Sequence, residues 1–382
     1  MKYFTPFFIT IFVIGSQLSA QQVDCDCNNR YETEVFTEVD VQTVTYSTPH
    51  DLEMDIYTPV GDVCSNRPLL IFAHGGTFLV GSKTNPTMVD LCENFAKKGY
   101  VTASINYRLA GDILSFFEAL TFYTDTENAY EVVLNAVMDG KAAIRYFRKD
   151  IAENGNTYGI DENKIWGGGN SAGGVLFLHA GHVQSTEEFT SPLDANRASI
   201  AEAIINSFDG GMEGDSGNPG YSSELSGVIS LAGALHRSEY LDENDIPSVF
   251  CHGSADGVVP YDCNGFQNNP SYDQLCGGGA LAPELQALGV NTQLKTFDNA
   301  GHCPWDTNSE YKQEMIDFVT NFVYDNLDCN MVNIQEDKIS LEKELIYKTD
   351  LLGRLNPTTQ KGFVFNVYKD GSVKKQYILN NK

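Results

Sequence analysis

Short apolar runs alternate with helical patterns along most of this 382-residue chain, from about residue 50 to residue 328. The apolar runs have the length of strands, and the amphipathic segments between them have helical periodicity. This alternation is typical of an α/β fold, with a mostly parallel central sheet and helices on both of its faces. The predicted strands cover residues 52–57, 69–73, 101–107, 164–167, 226–232, 247–251 and 293–297, and the clearest helices cover 88–98, 128–154, a segment opening at Ser171, 283–288 and 309–327.

Two segments depart from this alternation. Residues 187–221 contain a polar, helix-like piece followed by a Gly-rich run, and a long insertion between core strands is usually a lid or a binding loop. After residue 328 a polar stretch leads into alternating apolar residues and a hairpin-type turn at Asp370 and Gly371. The sequence therefore predicts one α/β domain over residues 21–330, with a lid-like insertion at about 187–221, and a small β module over 331–382.

The first twenty residues have the pattern of a secretory signal peptide. Lys2 is followed by an uncharged apolar stretch that is too short to span a bilayer and ends in Ser19 and Ala20. Cleavage after Ala20 would give an exported chain, secreted or held at the cell surface, with no membrane span in its mature part.

The charge balance excludes one class of partner. The chain has 25 Lys and Arg residues against 51 Asp and Glu, a net charge of −26, with −30 over residues 21–330 and +3 over residues 331–382. A body this acidic repels phosphate backbones, so we do not expect nucleic-acid binding. Its 42% apolar content is that of a folded protein and not of a disordered one.

Nine cysteines can form disulfides if the chain is exported, and at least one must lack a partner within the chain. Cys263 and Cys276 bracket an irregular loop rich in Asn and Gly and are a candidate pair, although the sequence leaves the pairing open. Cys251 lies in an apolar run and is expected to be buried. The paired cysteine spacing of a zinc site is missing, and Asp209, Glu213 and Asp215 lack the spacing of a calcium loop.

Ser171 is the candidate nucleophile. It is the serine of a G-x-S-x-G motif, Gly169 to Gly173, placed directly between a predicted strand and a predicted helix. A sharp turn there pushes the hydroxyl outward, and small neighbours leave room for the substrate and the adjoining helix.

A serine nucleophile needs a histidine base and a carboxylate that orients the base. Asp256 follows the strand at 247–251, and His302 is the histidine in the loop after the last core strand. Asp262 and Asp298 are the alternatives for the carboxylate. Surface, core or loop roles are the simpler interpretation of His50, His179, His182, His236 and His252.

A glycine-containing loop follows the strand at 69–73. It starts at His74, and its backbone N–H groups at Gly76 and Thr77 are candidate donors to an oxyanion, together with the N–H of Ala172 at the serine turn. His74 is expected to hold this loop by hydrogen bonding and not to act as a base.

Over residues 50–328 the chain resembles the α/β-hydrolase carboxylesterases of the HGG type, which include hormone-sensitive-lipase-like and feruloyl-esterase-like enzymes. The resemblance lies in the HGG loop at His74 and the serine motif at Ser171. It implies a triad of Ser171, Asp256 and His302 that hydrolyses carboxylic esters through an acyl-enzyme, without a metal or organic cofactor. Thr77 stands where the HGGG form has its third glycine.

The C-terminal module resembles a type IX secretion sorting domain in residues 350–354 and in the closing hairpin at 367–379. This implies delivery to the surface by secretion machinery. The expected substrate is a small-molecule or polymer-borne ester. Two alternatives stay open at this point, a serine peptidase on the same fold and a non-catalytic, hydrolase-like binding protein.

Overall fold

The computed structural model describes residues 25, 27, 30–327, 345–350, 362–368 and 373–378. The leader predicted over residues 1–20, residues 351–354 of the sorting element, and the turn predicted at Asp370 and Gly371 lie outside this part of the chain. The chain divides into two compact units, residues 1–329 and 330–382.

The first unit alternates strands with helices. Its strands are β1 (Val39–Ser47), β2 (Leu52–Pro59), β3 (Arg67–Ala73), β4 (Val101–Ile105), β5 (Ile160–Asn170), β6 (Gly227–Leu231), β7 (Ala234–Leu235), β8 (Ser248–Gly253), β9 (Cys263–Gly265), β10 (Gln274–Gly277) and β11 (Thr292–Phe297). Its α-helices are α1 (Pro86–Lys97), α2 (Ala110–Ile113), α3 (Phe116–Thr121), α4 (Thr126–Glu153), α5 (Ala172–His182), α6 (Thr186–Thr190), α7 (Ala195–Ser207), α8 (Gly278–Ala287) and α9 (Ser309–Asp325).

Eight of these strands form one sheet in the order β1-β2-β4-β3-β5-β6-β8-β11. The pairings of β2 with β1 and with β4 are antiparallel, whereas every pairing from β4 to β11 is parallel. This is the mostly parallel sheet that the sequence predicts. A separate three-stranded antiparallel sheet contains β7, β10 and β9.

The core lies on both faces of the large sheet. In β3 all seven residues are buried, and successive side chains join different clusters. Ile71 and Ala73 pack in the cluster that includes α4 and α5, whereas Leu70 and Phe72 pack with α1 and α9. Because side chains alternate along a strand, such a continuous apolar run is typical of a strand covered by helices on both faces.

The predicted elements are present, with shifted ends. The strand predicted at 164–167 corresponds to β5, which is longer in the structure and ends at the residue before Ser171. The helix predicted at 128–154 is α4, which begins two residues earlier because the Asp125 side chain accepts a hydrogen bond from the N–H of Asn128 and caps it. β1, α2, α3, α6 and α7 are not among the strands and helices that the sequence analysis delimits.

The insertion at 187–221 has two parts. Its first part contains the end of α6 and all of α7, and Phe189 of α6 lines the cavity described below. Its Gly-rich part is fixed against α4, where Glu213 pairs with Lys141 at 3.2 Å and with Arg145 at 2.8 Å. With these two cations as partners, Glu213 is not placed as a calcium ligand.

The second unit is a three-stranded antiparallel sheet, β12 (Leu345–Asp350), β13 (Gly362–Tyr368) and β14 (Val373–Ile378), paired in chain order. It is the small C-terminal β module that the alternating pattern predicts. Within the described residues, no helix combines the length and the apolar character needed to cross a membrane.

Candidate active site

Ser171 lies at a strained turn between β5 and α5, with φ 54° and ψ −114°. Residues other than glycine seldom adopt a positive φ. Such backbone strain is concentrated at functional sites. The motif glycines are required by packing: a Cβ on Gly173 would overlap the carbonyl oxygen of Ala73, and one on Gly169 would overlap the backbone of Gly173. Small residues on both sides therefore let the serine turn fit against β3.

The parallel strands bring the three predicted residues to one edge of the sheet. Ser171 follows β5, Asp256 follows β8, and His302 follows β11. The Ser171 hydroxyl lies 2.8 Å from Nε2 of His302, and Nδ1 of His302 lies 2.7 Å from Oδ2 of Asp256. In this arrangement Nδ1–H donates to the carboxylate, which leaves Nε2 free to accept the serine proton. The exposed Asp262 and Asp298 are not the carboxylates in contact with His302.

The Asp256 carboxylate is buried and held by several donors. Its Oδ1 accepts hydrogen bonds from the N–H groups of Val258 at 2.8 Å and Val259 at 3.0 Å. Burial acts to raise the pKa of Asp256, but His252, His302 and the Val258 N–H outweigh it and hold the pKa well below its usual range. The carboxylate is therefore ionised when His302 takes a proton.

His252 is a second histidine beside this carboxylate. It is 1% exposed, and its Nε2 lies 3.2 Å from the carbonyl oxygen of Val259 and 3.3 Å from Oδ2 of Asp256. The N–H of Gly278 donates to Nδ1 at 3.2 Å, which makes Nε2 the protonated nitrogen. The sequence predicts only a surface, core or loop role for His252, and the one signal for a part in the site is the position of His252 near the end of β8, four residues before Asp256.

The glycine loop after β3 lies against the serine turn. A Cβ on Gly75 would be 3.2 Å from Cβ of Ser171. Gly76 has φ 126° and Thr77 has φ 55°. Within the described residues, the N–H groups of Gly76, Thr77 and Ala172 donate to no acceptor in the protein. Three such donors beside a nucleophile can receive a developing oxyanion.

His74 supports this loop, as predicted. It is buried, its Nδ1 lies 2.7 Å from the carbonyl oxygen of Gly75, and its ring stacks on Tyr107 at 4.3 Å between centroids. The Tyr107 hydroxyl donates to the His74 carbonyl oxygen at 2.8 Å. Burial lowers the pKa of His74, so the ring is neutral at physiological pH.

A cavity of about 870 Å³, counting its space open to solvent, begins at Ser171, Thr77 and Ala172. Most of its wall is apolar or aromatic, which suits an uncharged organic group. The aromatic rings in the wall are Phe78, Phe122, Tyr123, Tyr130, Phe189, Phe266 and Tyr272.

A polar cluster that the sequence analysis missed also borders the cavity. We call it the Asp273 cluster: Asp273, Tyr130, Arg197, His236 and Arg237. Burial acts to raise the pKa of Asp273, but the contacts with His236 and Arg237 outweigh it and hold the pKa well below its usual range. Burial lowers the pKa of His236, which is therefore neutral at pH 7.

A disulfide between Cys263 and Cys276 joins β9 to β10 and closes the loop that carries Phe266, Tyr272 and Asp273. This confirms the candidate pair. Cys25 is bonded to Cys64, and Cys27 is also in a disulfide. The described thiols of Cys92, Cys251 and Cys303 are free and buried, as expected for Cys251.

No group of three or more potential metal ligands occurs in the part of the chain that the structure describes.

Comparisons with known proteins bear on the fold. A family profile described as BD-FAE matches residues 54–209, and no curated protein matches the sequence. Among solved structures, esterase 2 of Thermogutta terrifontis phosphoramylated by tabun is similar with a TM-score of 0.54 and 19% identity, over 75% of this chain and 94% of that one. Its apo form gives a TM-score of 0.53 and 20% identity, and its propionate-bound form 0.52 and 20%, with the same coverage. The large mostly parallel sheet and these matches together show that the chain has the α/β-hydrolase fold.

Proposed function

We propose that this protein is a serine carboxylesterase that hydrolyses its substrate through an acyl-enzyme. The observation that carries the proposal is the hydrogen-bonded series Ser171, His302, Asp256, which stands at the opening of an apolar cavity beside three unpaired N–H groups. The match to the BD-FAE family over residues 54–209 supports the same activity.

The geometry supports the following sequence of steps. Oγ of Ser171 attacks the ester carbonyl carbon while its proton passes to Nε2 of His302. The N–H groups of Gly76, Thr77 and Ala172 stabilise the oxyanion of the tetrahedral intermediate. Nε2–H then protonates the leaving alkoxide, so an alcohol departs and the acyl group stays on Ser171. Water, deprotonated by His302, attacks the acyl-enzyme, and the carboxylic acid leaves as the proton returns to Oγ.

Asp256 keeps its charge throughout this cycle. It fixes the His302 ring by accepting from Nδ1–H and stabilises the imidazolium that forms twice per turnover. None of these steps requires a metal or an organic cofactor, and the proposed substrate is a small-molecule or polymer-borne ester. Esterase 2 of Thermogutta terrifontis is known phosphorylated by paraoxon and bound to propionate and to butyrate, which lends support to a reactive nucleophile and a short acyl group in this chain too.

We also propose that the protein is exported, to the medium or to the cell surface. The disulfides Cys25–Cys64 and Cys263–Cys276 support this, because such bonds persist in oxidising compartments. Delivery through the C-terminal module by secretion machinery is part of this proposal.

The test is turnover of p-nitrophenyl acetate and butyrate by the full-length protein and by Ser171→Ala, with Ser191→Ala as a control at an exposed serine. We expect the Ser171 variant to lose turnover and labelling by a fluorophosphonate probe, and the Ser191 variant to keep both. Ester turnover that survives Ser171→Ala would show that the mechanism is wrong. Labelling of Ser171 without ester turnover, combined with cleavage of peptides, would favour a peptidase.

A further inference from the structure

The cavity follows one face of α5. Ser171, Ala172, Val175 and His179 all line it, at spacings of one, three and four residues along the helix. With a rise of 1.5 Å per residue, His179 lies about 12 Å along the helix axis from Ser171. The cavity therefore extends along α5 from the Ser171 hydroxyl towards His179.

The Asp273 cluster stands at the His179 end. The backbone N–H of His236 donates to Nε2 of His179 at 3.2 Å, and His236, Asp273 and Tyr130 border the same cavity. The cluster joins four separate parts of the chain. Tyr130 comes from α4, Arg197 from α7, His236 and Arg237 from the segment after β7, and Asp273 from the loop between β9 and β10.

Both oxygens of Asp273 are fully used within the protein. Oδ2 accepts from Tyr130 at 3.1 Å and from Arg197 Nε at 3.1 Å, and Nε2 of His236 lies 3.2 Å from it. Oδ1 accepts from Arg237 at 3.0 Å and from the N–H of Gln274 at 3.1 Å. A carboxylate that accepts four hydrogen bonds and has the His236 ring beside it has no capacity left for a ligand, so its role is to hold these elements together.

Both ring nitrogens of His236 also have polar partners within the protein. Its Nε2 lies 3.4 Å from the Tyr130 hydroxyl and 3.2 Å from Oδ2 of Asp273, and its Nδ1 lies 3.0 Å from the Tyr240 hydroxyl. Phe189 stacks on the His236 ring with 6.1 Å between centroids, which connects α6 to the same wall. The cavity is thus lined near His179 by satisfied polar groups and by aromatic rings, and not by a subsite that awaits a charged ligand.

We propose that the Asp273 cluster is the end wall of the acyl pocket and selects esters whose apolar acyl group reaches no more than about 12 Å from the scissile carbonyl. That length is near the length of an extended decanoyl chain. Asp273 acts as a positioning residue that keeps α7 and the β9–β10 loop closed across the end of the cavity. This inference rests on the proposed function.

The experiment measures kcat and KM for p-nitrophenyl butyrate, octanoate, laurate and palmitate with the wild type, Asp273→Asn and the control Asp209→Asn, at an exposed carboxylate. For the wild type and the control, kcat/KM should fall sharply from octanoate to laurate. For Asp273→Asn, the ratio of laurate to butyrate kcat/KM should rise about tenfold, mainly through a lower KM for laurate. Butyrate is the internal reference for each variant, so the laurate-to-butyrate ratio is compared and not the absolute rate.

Tyr130→Phe provides a milder variant if Asp273→Asn fails to fold. It removes one donor to Asp273 and leaves the aromatic wall in place, so a smaller rise in the same ratio is expected. An unchanged ratio in whichever of the two variants folds with normal butyrate turnover would overturn the inference. A length limit found with alkyl butyrates of increasing alcohol length, instead of with the acyl series, would also overturn it.

These outcomes separate the two proposals. If Ser171 is labelled by fluorophosphonate and butyrate is cleaved, but chain length has no effect in any variant, then only the end-wall inference fails. If the wild type cleaves no ester and Ser171 is not labelled, then the proposed function fails and the inference falls with it.

Discussion

Gly76 has a backbone conformation, φ 126°, that side-chain-bearing residues rarely adopt, and a Cβ there would overlap the carbonyl oxygen of Val80. An alanine must therefore shift the loop whose N–H groups face Ser171. We expect Gly76→Ala to lower kcat for p-nitrophenyl butyrate about 100-fold, the cost of losing an oxyanion donor. Kinetics at saturating ester, with active sites counted by fluorophosphonate labelling, provide the measurement.

The matched control is Gly61→Ala. Gly61 also has positive φ, 81°, but a Cβ there has no atom within 4 Å. The same change should cost about 1 kcal/mol of folding stability and leave kcat unaltered. Equal kcat values for the two variants would contradict an oxyanion role for the Gly76 loop.

His252 is the residue whose part in the site is least visible from sequence. Replacing it with leucine removes the N–H that lies 3.3 Å from Oδ2 of Asp256, so the carboxylate loses one of its donors. We expect His252→Leu to lower kcat about tenfold at unchanged KM, as for the loss of one hydrogen bond to a charged group. His252→Gln retains a donor and should recover most of kcat. Equal kcat for the wild type and the leucine variant would contradict this role.

The elements that sequence predicts best are those with buried apolar runs or strong periodicity. β3 is buried along its whole length, and α9 places Met315, Val319 and Val323 on one buried face. β1 escapes prediction because it is a sheet edge whose residues are mostly exposed, so it lacks the continuous apolar run of the core strands. α7 lies in the polar, helix-like piece that the sequence indicates within 187–221, but its bounds could not be predicted because Ala201 and Ile205 are its only fully buried residues.

The meeting of Ser171, Asp256 and His302 was accessible to prediction because each residue follows a core strand, and parallel strands bring such loops to one edge. The Asp273 cluster was not accessible in this way. Asp273 is 143 residues from Tyr130 and 76 from Arg197, and it lies in an irregular loop that carries no motif. Only the folded chain shows that these side chains meet.

His179 makes α5 sensitive to pH. Burial lowers its pKa from an ordinary 6.5 to about 4, so between these values the unfolded state binds the proton and the native state does not. Stability due to the neutral ring is complete above pH 6.5 and is lost as pH falls towards 4. The loss between pH 7 and pH 4.5 should be about 2–3 kcal/mol.

The measurement is denaturant unfolding at pH 7 and pH 4.5 for the wild type, His179→Gln and a control at the more exposed His50, His50→Gln. The His179 variant should lose less stability on acidification than the wild type by that amount, and the His50 variant should behave like the wild type. An identical pH dependence for all three proteins would contradict the prediction.

At the scale of the whole molecule, the described residues fall into two units. One is acidic and contains the candidate site, and the other is the small C-terminal sheet. Every residue that lines the cavity, and every member of the triad, belongs to the unit over residues 1–329. The core clusters that cover both faces of the large sheet lie in this unit as well. The second unit contributes β12, β13 and β14, which pair with one another.

A chain that ends after residue 329 retains all nine cysteines, the complete large sheet and the cavity wall. We therefore expect its kcat/KM for p-nitrophenyl butyrate and its fluorophosphonate labelling at Ser171 to equal those of the full-length chain, because the proposed triad and the cavity-lining residues are all retained. A Ser171→Ala version of the shortened chain is the control for background hydrolysis. If the shortened chain folds, as judged by circular dichroism, but has lost turnover, the C-terminal sheet contributes to catalysis. Equal turnover would show that the C-terminal sheet is dispensable for catalysis, and comparing how much of each chain the native host secretes would then test its proposed role in export.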